Sequence, residues 1–169
     1  MSLQRARAIV IYSFRKAQLL HGSFYEANAT KFSLVILIKM IMERSERLEQ
    51  LHKLMIEEVQ DFAIVLLDLD GTILTWNKGV EKIKGYKAHE IIGQNFNIFY
   101  LPQDRQEKLP QKLIDLAKRE GRAKHIGRRV RKDGSIFWGS ILITALHDDN
   151  QNVVGFTKLT RELRDNEID

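Results

Sequence analysis

The sequence predicts an α+β domain in which short helices cover one face of an antiparallel sheet. Three observations predict it. First, the stretch Asp61–Trp76, DFAIVLLDLDGTILTW, sets two apolar runs, Phe62–Leu67 and Thr72–Trp76, on either side of Asp68-Leu69-Asp70-Gly71. β-Branched and aromatic residues around an Asp-Gly turn read as a hairpin, because glycine supplies the positive φ that a tight antiparallel turn demands. Second, Arg122–Arg131, Ile136–Leu146 and Val153–Thr160 are extended runs separated by the polar turns Lys132-Asp133-Gly134-Ser135 and His147–Asn152, an antiparallel meander. Third, the segment between hairpin and meander holds only short helical signals, each closed by Gly or Pro. The total is five strands.

Taken in order, residues 1–42 are basic and apolar. Ser33–Met42 contains no breaker, so a helix is expected from about Lys31. A helical extension packed on the domain or on a partner is the favoured reading. A helix lying on a membrane surface and a native start at Met40 or Met42 are the alternatives. The apolar run Phe32–Met42 is interrupted by Lys39 and falls short of the ~20 residues a membrane span needs. No cleavage-site pattern of a secretory signal follows Met1–Gly22.

From Glu43 to about Gln60, Leu48, Leu51, Met55 and Phe62 fall at a/d-like spacing among charged residues. This predicts an amphipathic helix, residues 43–60, whose stripe must bury against its own domain or a second copy; a homodimer seam is expected. Residues 61–163 then form the domain and 164–169 a tail. After the hairpin, Asn77 caps a short helix with Val80 and Ile83 inward and Gly85 at its end. Tyr86–Ile92 offers one more turn before Gly93. Phe96–Leu101 is aromatic and stops at Pro102. Pro110 suits the first turn of a helix reaching Glu120, with Leu109, Leu113, Leu116 and Ala117 inward and Gly121 closing it.

The chain has 169 residues, a 44% hydrophobic and 29% charged composition, and a net charge of +5, the profile of one ordinary folded domain with an appendage. Cysteine is absent, which excludes disulfides, thiolate metal sites, cysteine nucleophiles and cysteinyl-flavin adducts, and suits a reducing, cytoplasmic setting.

The Asp68-Leu69-Asp70-Gly71-Thr72 run also supports a competing function. A buried strand ending in DxDGT marks the haloacid-dehalogenase-type phosphatases, with Asp68 as nucleophile and Asp70 beside it at a Mg²⁺ ion. That chemistry needs a parallel sheet and a crossover of a dozen or more residues directly after the motif. An immediate return strand at Thr72–Trp76 and a closing meander argue for the hairpin, in which both aspartates are turn residues. A non-catalytic domain is expected.

Phe62 to about Leu163 resembles a PAS domain of the kind found upstream of bacterial sensor histidine kinases and diguanylate cyclases. The segments that carry the likeness are DFAIVLLDLDGTILTWNKGVEKIKGYKAHEIIGQNF, IFYLPQD, RRVRKDGSIFWGSILITAL and GFTKLTREL. The resemblance implies a PAS fold, a five-stranded sheet in order 2-1-5-4-3 whose helices enclose a ligand pocket. It also implies dimerisation through the preceding helix and a sensory role relayed to an output domain or partner, as in two-component systems. In this family the last strand usually ends Asp-x-Thr; here Glu162-Leu163-Arg164 keeps the acid and replaces the hydroxyl. No effector follows before Asp169, so the expectation is either part of a larger sensor or a module acting by association.

Cofactors follow residue by residue. The light-sensing flavin branch places a cysteine in the segment matching Ile92–Phe99, and there is none; its flavin-binding positions match Arg129, Gly139 and Thr160, and the first two are poor substitutes. The haem branch places its axial histidine just after an Asp-Arg pair, and Asp104-Arg105 is followed by Gln106-Glu107-Lys108. His125 matches only a distal position. No bound chromophore is the expectation, with non-covalent FAD the alternative. Trp138 is expected to point away from the pocket.

Strand alternation lists the pocket lining. His125, Gly127 and Arg129 come from the third strand; Phe137, Gly139, Ile141 and Ile143 from the fourth; Phe156, Lys158 and Thr160 from the fifth. Phe96, Phe99, Leu113 and Leu116 close it from the helices. Arg129 and Lys158 are the informative pair, because a buried cation without a partner costs several kcal/mol. They pair with an internal carboxylate such as Glu81 or Glu162, or they receive a small anionic ligand. His147-Asp148-Asp149 reads as a turn before a cation site, and His89-Glu90 lacks the residues of a kinase phospho-acceptor box. The basic run Arg122–Lys132 has no interleaved aromatics for base stacking, so no nucleic-acid partner is expected.

Overall fold

The computed structural model describes Tyr12 and residues 24–167. The chain divides into two compact units, Met1–His52 and Lys53–Asp169. Helix α1 is Phe24–Glu57 and runs unbroken across residue 42, ending three residues before the expected Gln60. In the first unit Val35, Ile38, Met40, Leu48 and Leu51 are exposed. Among the described residues no helix is long and apolar enough to cross a membrane.

The second unit is an antiparallel sheet with helices on one face. Its strands are β1 (Ala63–Leu67), β2 (Arg122–Val130), β3 (Ile136–His147) and β4 (Val153–Glu162). Between β1 and β2 stand α2 (Lys78–Lys84), α3 (Ala88–Ile91), a 3₁₀ turn at Phe96–Phe99, α4 (Pro102–Gln106) and α5 (Leu109–Glu120). Asn77 caps α2 as read, its side chain accepting from Val80 N, and Gly85 ends it. Leu113, Ile114 and Ala117 bury one side of α5 against β2 and β3. With Leu67, Phe99, Ile143 and Phe156, all wholly buried, they form the apolar floor and walls, each such side chain contributing about 1.5–3 kcal/mol.

The sheet has four strands in the order β1-β4-β3-β2, not five. The missing one is Thr72–Trp76. The chain does double back at Asp68–Gly71, where Gly71 takes φ +83° and its absent Cβ leaves room for the Phe96 ring, which a methyl would meet at 2.7 Å. Leu74 N then donates to Leu66 O and Leu67 bridges Ile73. Beyond that point side chains replace the backbone acceptors. Leu66 N donates to Thr75 Oγ1 at 3.0 Å and Ile64 N to Asn77 Oδ1 at 2.9 Å. With its partner's amides so occupied, the return segment forms isolated bridges rather than a ladder. Deleting that edge strand from the order 2-1-5-4-3 leaves the observed order.

Candidate functional site: a buried cluster of cations

Every sheet residue expected to face the helices does so. In register, Val65 pairs with Lys158, Lys158 with Ile143 and Thr160 with Ile141, and Ile141 with His125 and Phe137 with Arg129. Phe96, Phe99, Leu113, Phe137, Ile141, Phe156, Arg129, Lys158 and Thr160 are all buried. Gly127 and Gly139 are buried as well, and His125 and Leu116 are half-buried. Both glycines lie where neighbours crowd in: a Cβ on Gly127 would meet His125 Cε1 at 2.4 Å, and one on Gly139 would meet Thr160 Cγ2 at 3.3 Å. Trp138 lies on the outer face, 39% exposed.

The interior these residues enclose is positively charged. Arg129, Lys158 and Lys84 are 0%, 1% and 1% exposed. Among the described residues no carboxylate forms an ion pair with any of them. The two carboxylates expected to do so are elsewhere: Glu81 is exposed and Glu162 accepts from Arg131 Nη2 at 2.6 Å. Lys158 Nζ donates to Thr160 Oγ1 at 2.8 Å. Arg129 donates to Arg128 O at 2.6 Å and, through Nη2, to His125 Nδ1 at 3.2 Å. A guanidinium only donates, so His125 Nδ1 must be the unprotonated nitrogen of a neutral ring. Among the described residues, Lys84 Nζ, Arg129 Nε and the Tyr100 hydroxyl have no hydrogen-bond partner.

Aromatic faces stand where acids would be expected. Lys84 Nζ lies 4.1 Å from the Phe99 centroid and 5.4 Å from that of Phe137. Lys158 Nζ is 5.4 Å from the Phe99 centroid, and Arg129 Cζ is 3.9 Å from that of Tyr100. The guanidinium carbon lies over the Tyr100 ring, a contact of charge with π-face. Such contacts contribute about 0.5–2 kcal/mol, against several kcal/mol for burying one unpaired ion. The rings therefore offset only part of the cost.

The titration behaviour follows. Burial, reinforced by Arg129 and Arg131, lowers Lys84 from 10.5 to about 7. Burial, with Lys84 and Arg129 beside it, holds Lys158 well below the ordinary lysine value. Burial and the Arg129 charge lower His125, which the Asp104 carboxylate partly opposes. Burial raises the Tyr100 phenol, which is therefore neutral. Arg129 is lowered by burial, yet a guanidinium stays charged from so high a starting value.

Two members of this cluster were not legible as site residues: Lys84 and Tyr100. Lys84 had a signal. It sits four residues after Val80 and next to Ile83, on the apolar face of α2 by helical spacing. Tyr100 lies in the aromatic run Phe96–Leu101, whose 3₁₀ turn carries Phe96, Phe99 and Tyr100 inward.

The aspartates of the competing reading are turn residues. Asp68 Oδ1 accepts from Asp70 N at 3.0 Å and Thr72 N at 2.7 Å, and the Thr72 amide leads the causes that lower its pKa. Asp148 Oδ1 does the same for Asn150 N and Asn152 N. All three strand pairings are antiparallel.

The family model described as PAS fold matches residues 49–161. A 125-residue part of the chain, 74% of it, is 43% identical to Two-component system protein A of Emericella nidulans and spans 18% of that protein. A 92-residue part is 26% identical to the Bacterioopsin transcriptional activator of Halobacterium salinarum, covering 53% of this chain and 14% of the relative. Among solved structures, the PAS domain of a protein from Colwellia psychrerythraea superposes with TM-score 0.62 at 32% identity, covering 69% of this chain and 96% of that one. The chain thus spans less than a fifth of the length of these two curated relatives.

Proposed function

The chain belongs to the PAS family, and from that premise we propose that it is the sensory module of a two-component-type signalling protein. It receives a small anionic ligand in the interior cup and relays the event through α1 to an output domain or partner protein. The reading has the module working as a homodimer through Glu43–Gln60, without catalysis of its own.

The observation that carries the relay is the junction at Asn77. This side chain is wholly buried. Its Oδ1 accepts from Ile64 N of β1 and Val80 N of α2. Its Nδ2 lies 3.2 Å from Ile56 O, 2.6 Å from Val59 O and 3.0 Å from Phe62 O. One amide thus joins the last turn of α1, the first strand and the helix that carries Lys84. A shift of α2 on ligand binding is thereby transmitted to the end of α1 through stiff, buried hydrogen bonds.

The seam is supported by exposed apolar side chains at Leu48, Leu51, Leu54 and Met55. Such residues on a helix need a partner. Light scattering on the eluting protein at high micromolar concentration tests this. The chain is expected to run as a dimer and the Leu51→Glu/Met55→Glu variant as a monomer. A wild-type monomer at that concentration overturns the relay through a dimer.

A further inference from the structure

Resting on the sensory reading above, the ligand's chemical class follows from the cations themselves. We propose that Lys84, Arg129 and Lys158 form a cradle for one small carboxylate, seated against the Phe99 ring between the two lysines.

The three cations come from three separate elements, α2, β2 and β4, and converge on one interior region: both lysine ammoniums lie against Phe99, and both sense the charge of Arg129. Three like charges drawn together in a buried space are mutually repulsive, so their convergence costs stability unless a negative charge joins them. A protein seeking stability alone replaces such groups with apolar residues of similar volume, which is commonly neutral or favourable. Their presence is a mark of function.

The choice of carboxylate comes from shape and surroundings. A guanidinium offers a planar fork that matches a carboxylate's two oxygens. The neighbouring side chains on the inner face, Val65, Ile143 and Phe156, are hydrocarbon, which suits a short carbon chain. Lys84 Nζ, Arg129 Nε and the Tyr100 hydroxyl are buried donors without a partner among the described residues. The flexible lysine stems leave the Phe99 face as the carboxylate takes the place of its π-contact.

Binding draws protons in. The charges acting on Lys84 are those of Arg129 in β2 and Arg131 just beyond it; Lys158 of β4 senses Lys84 and Arg129, and Arg129 in turn meets Tyr100 after the 3₁₀ turn, His125 of β2 and Asp104 of α4. Among the described residues, Asp104 is the acid in this set, and it forms no ion pair with the three cations. A carboxylate therefore favours the ammonium form of both lysines. Its affinity is highest below about pH 7, where Lys84 already carries its proton, and falls as pH rises, by up to tenfold per pH unit for each proton taken up.

The test is calorimetric titration and thermal melting of the full chain at pH 6.5 with sodium acetate, succinate, inorganic phosphate and, at matched ionic strength, sodium chloride. At least one carboxylate is expected to bind saturably and raise Tm beyond chloride, with affinity weakened at least tenfold at pH 8.5. Lys84→Met and Lys158→Met are each expected to fold, with intact far-ultraviolet circular dichroism, and to lose binding at least tenfold. No carboxylate effect beyond chloride, binding of phosphate alone, or unchanged binding in both variants overturns the proposal. The outcome is separable from the relay: carboxylate binding to a chain that runs as a monomer keeps the cradle and sinks the dimeric relay, and the converse result does the opposite.

Discussion

At Asn77 the oxygen accepts two backbone amides and the nitrogen reaches three carbonyls; at the far end of the same short helix, the Lys84 ammonium has no hydrogen-bond partner among the described residues. Both side chains are buried to within 1%. A satisfied buried polar group locks neighbouring elements into one arrangement, because every alternative strands a donor or acceptor. An unsatisfied one costs free energy in the arrangement observed and is kept only where that cost serves something else. The helix α2 thus carries a structural pin at its start and a poised charge at its end, and a ligand that changes the second acts directly on the element held by the first.

The sharpest way to break this comparison is Asn77→Ala. It strands the Ile64 amide and the Val59 and Phe62 carbonyls in one step, while the Val80 amide keeps the Asn77 backbone carbonyl and the Ile56 carbonyl keeps the Val59 amide. A loss of about 3 kcal/mol or more is expected, from several buried hydrogen bonds at about 1 kcal/mol each plus the stranded groups. Chemical denaturation measures it. A loss below about 1 kcal/mol means that the junction is not what binds α1, α2 and β1 together.

The second prediction concerns pH. Lys84 has a folded-state value of about 7 against 10.5 in the unfolded chain. Between these limits the unfolded chain binds more protons than the folded one, so stability rises with pH. The penalty is full below pH 7 and vanishes toward 10.5. Lys158 shifts in the same direction and adds to the effect. From pH 7 to 9 a gain of roughly 2–3 kcal/mol is expected, at about 1.4 kcal/mol per pH unit for one lysine. Denaturation curves across that range with weakly binding buffer ions check it; a flat profile means that the lysines carry their charge with a partner the cluster conceals.

The comparison is sharpened next by Lys84→Met at pH 6.5. Removing a hydrogen-bonding residue from the interior ordinarily destabilises. Here a gain of about 1–3 kcal/mol is expected, because the lost group is a charge without a counter-charge, together with a shallower pH profile. Destabilisation by the substitution would place Lys84 with Asn77, as a structural pin.

How far these features could be read beforehand depends on the range of the interaction. Alternation along β2, β3 and β4 placed Arg129, Lys158, Thr160 and Phe137 on the inner face correctly, since the two-residue period is local backbone geometry. Asn77 was legible as a cap of α2, but not as the partner of Ile56, Val59 and Phe62, which needs the tertiary arrangement. The supposed second strand failed for a similar reason: Thr75 and Asn77 look like ordinary residues of a β run, and only their side-chain acceptance from Leu66 and Ile64 ends the ladder. Lys84 is hard to read as interior because lysine is almost never fully buried, although its spacing from Val80 puts it on the apolar face. The expectation that Arg129 and Lys158 meet Glu81 or Glu162 follows from that same rule, and it fails because Glu81 is exposed and Glu162 pairs with Arg131.

The smallest effect is expected at the rim of the cup, where a cation does have an acid. Arg131 follows the last residue of β2, two positions from Arg129, and its guanidinium lies 4.2 Å from the Phe137 centroid. It donates to the Ile83 carbonyl and to Glu162, at 2.6 Å, with side chains 22% and 46% exposed. Solvent reaches the carboxylate, so the pair contributes less than about 1 kcal/mol after screening, and Glu162→Gln keeps an acceptor oxygen for Arg131. A loss of no more than that is expected, diminishing further in high salt. Carboxylate binding itself is retained, because Glu162 is not part of the cradle. Uncompensated, however, Arg131 acts more strongly on Lys84, one of whose depressing charges it already is. The pH at which stability begins to climb therefore moves down in the variant. A shift in that midpoint with almost no loss of stability separates the electrostatic field of the cup from its mechanical strength, and an upward shift contradicts the charge accounting on which the buried cluster rests.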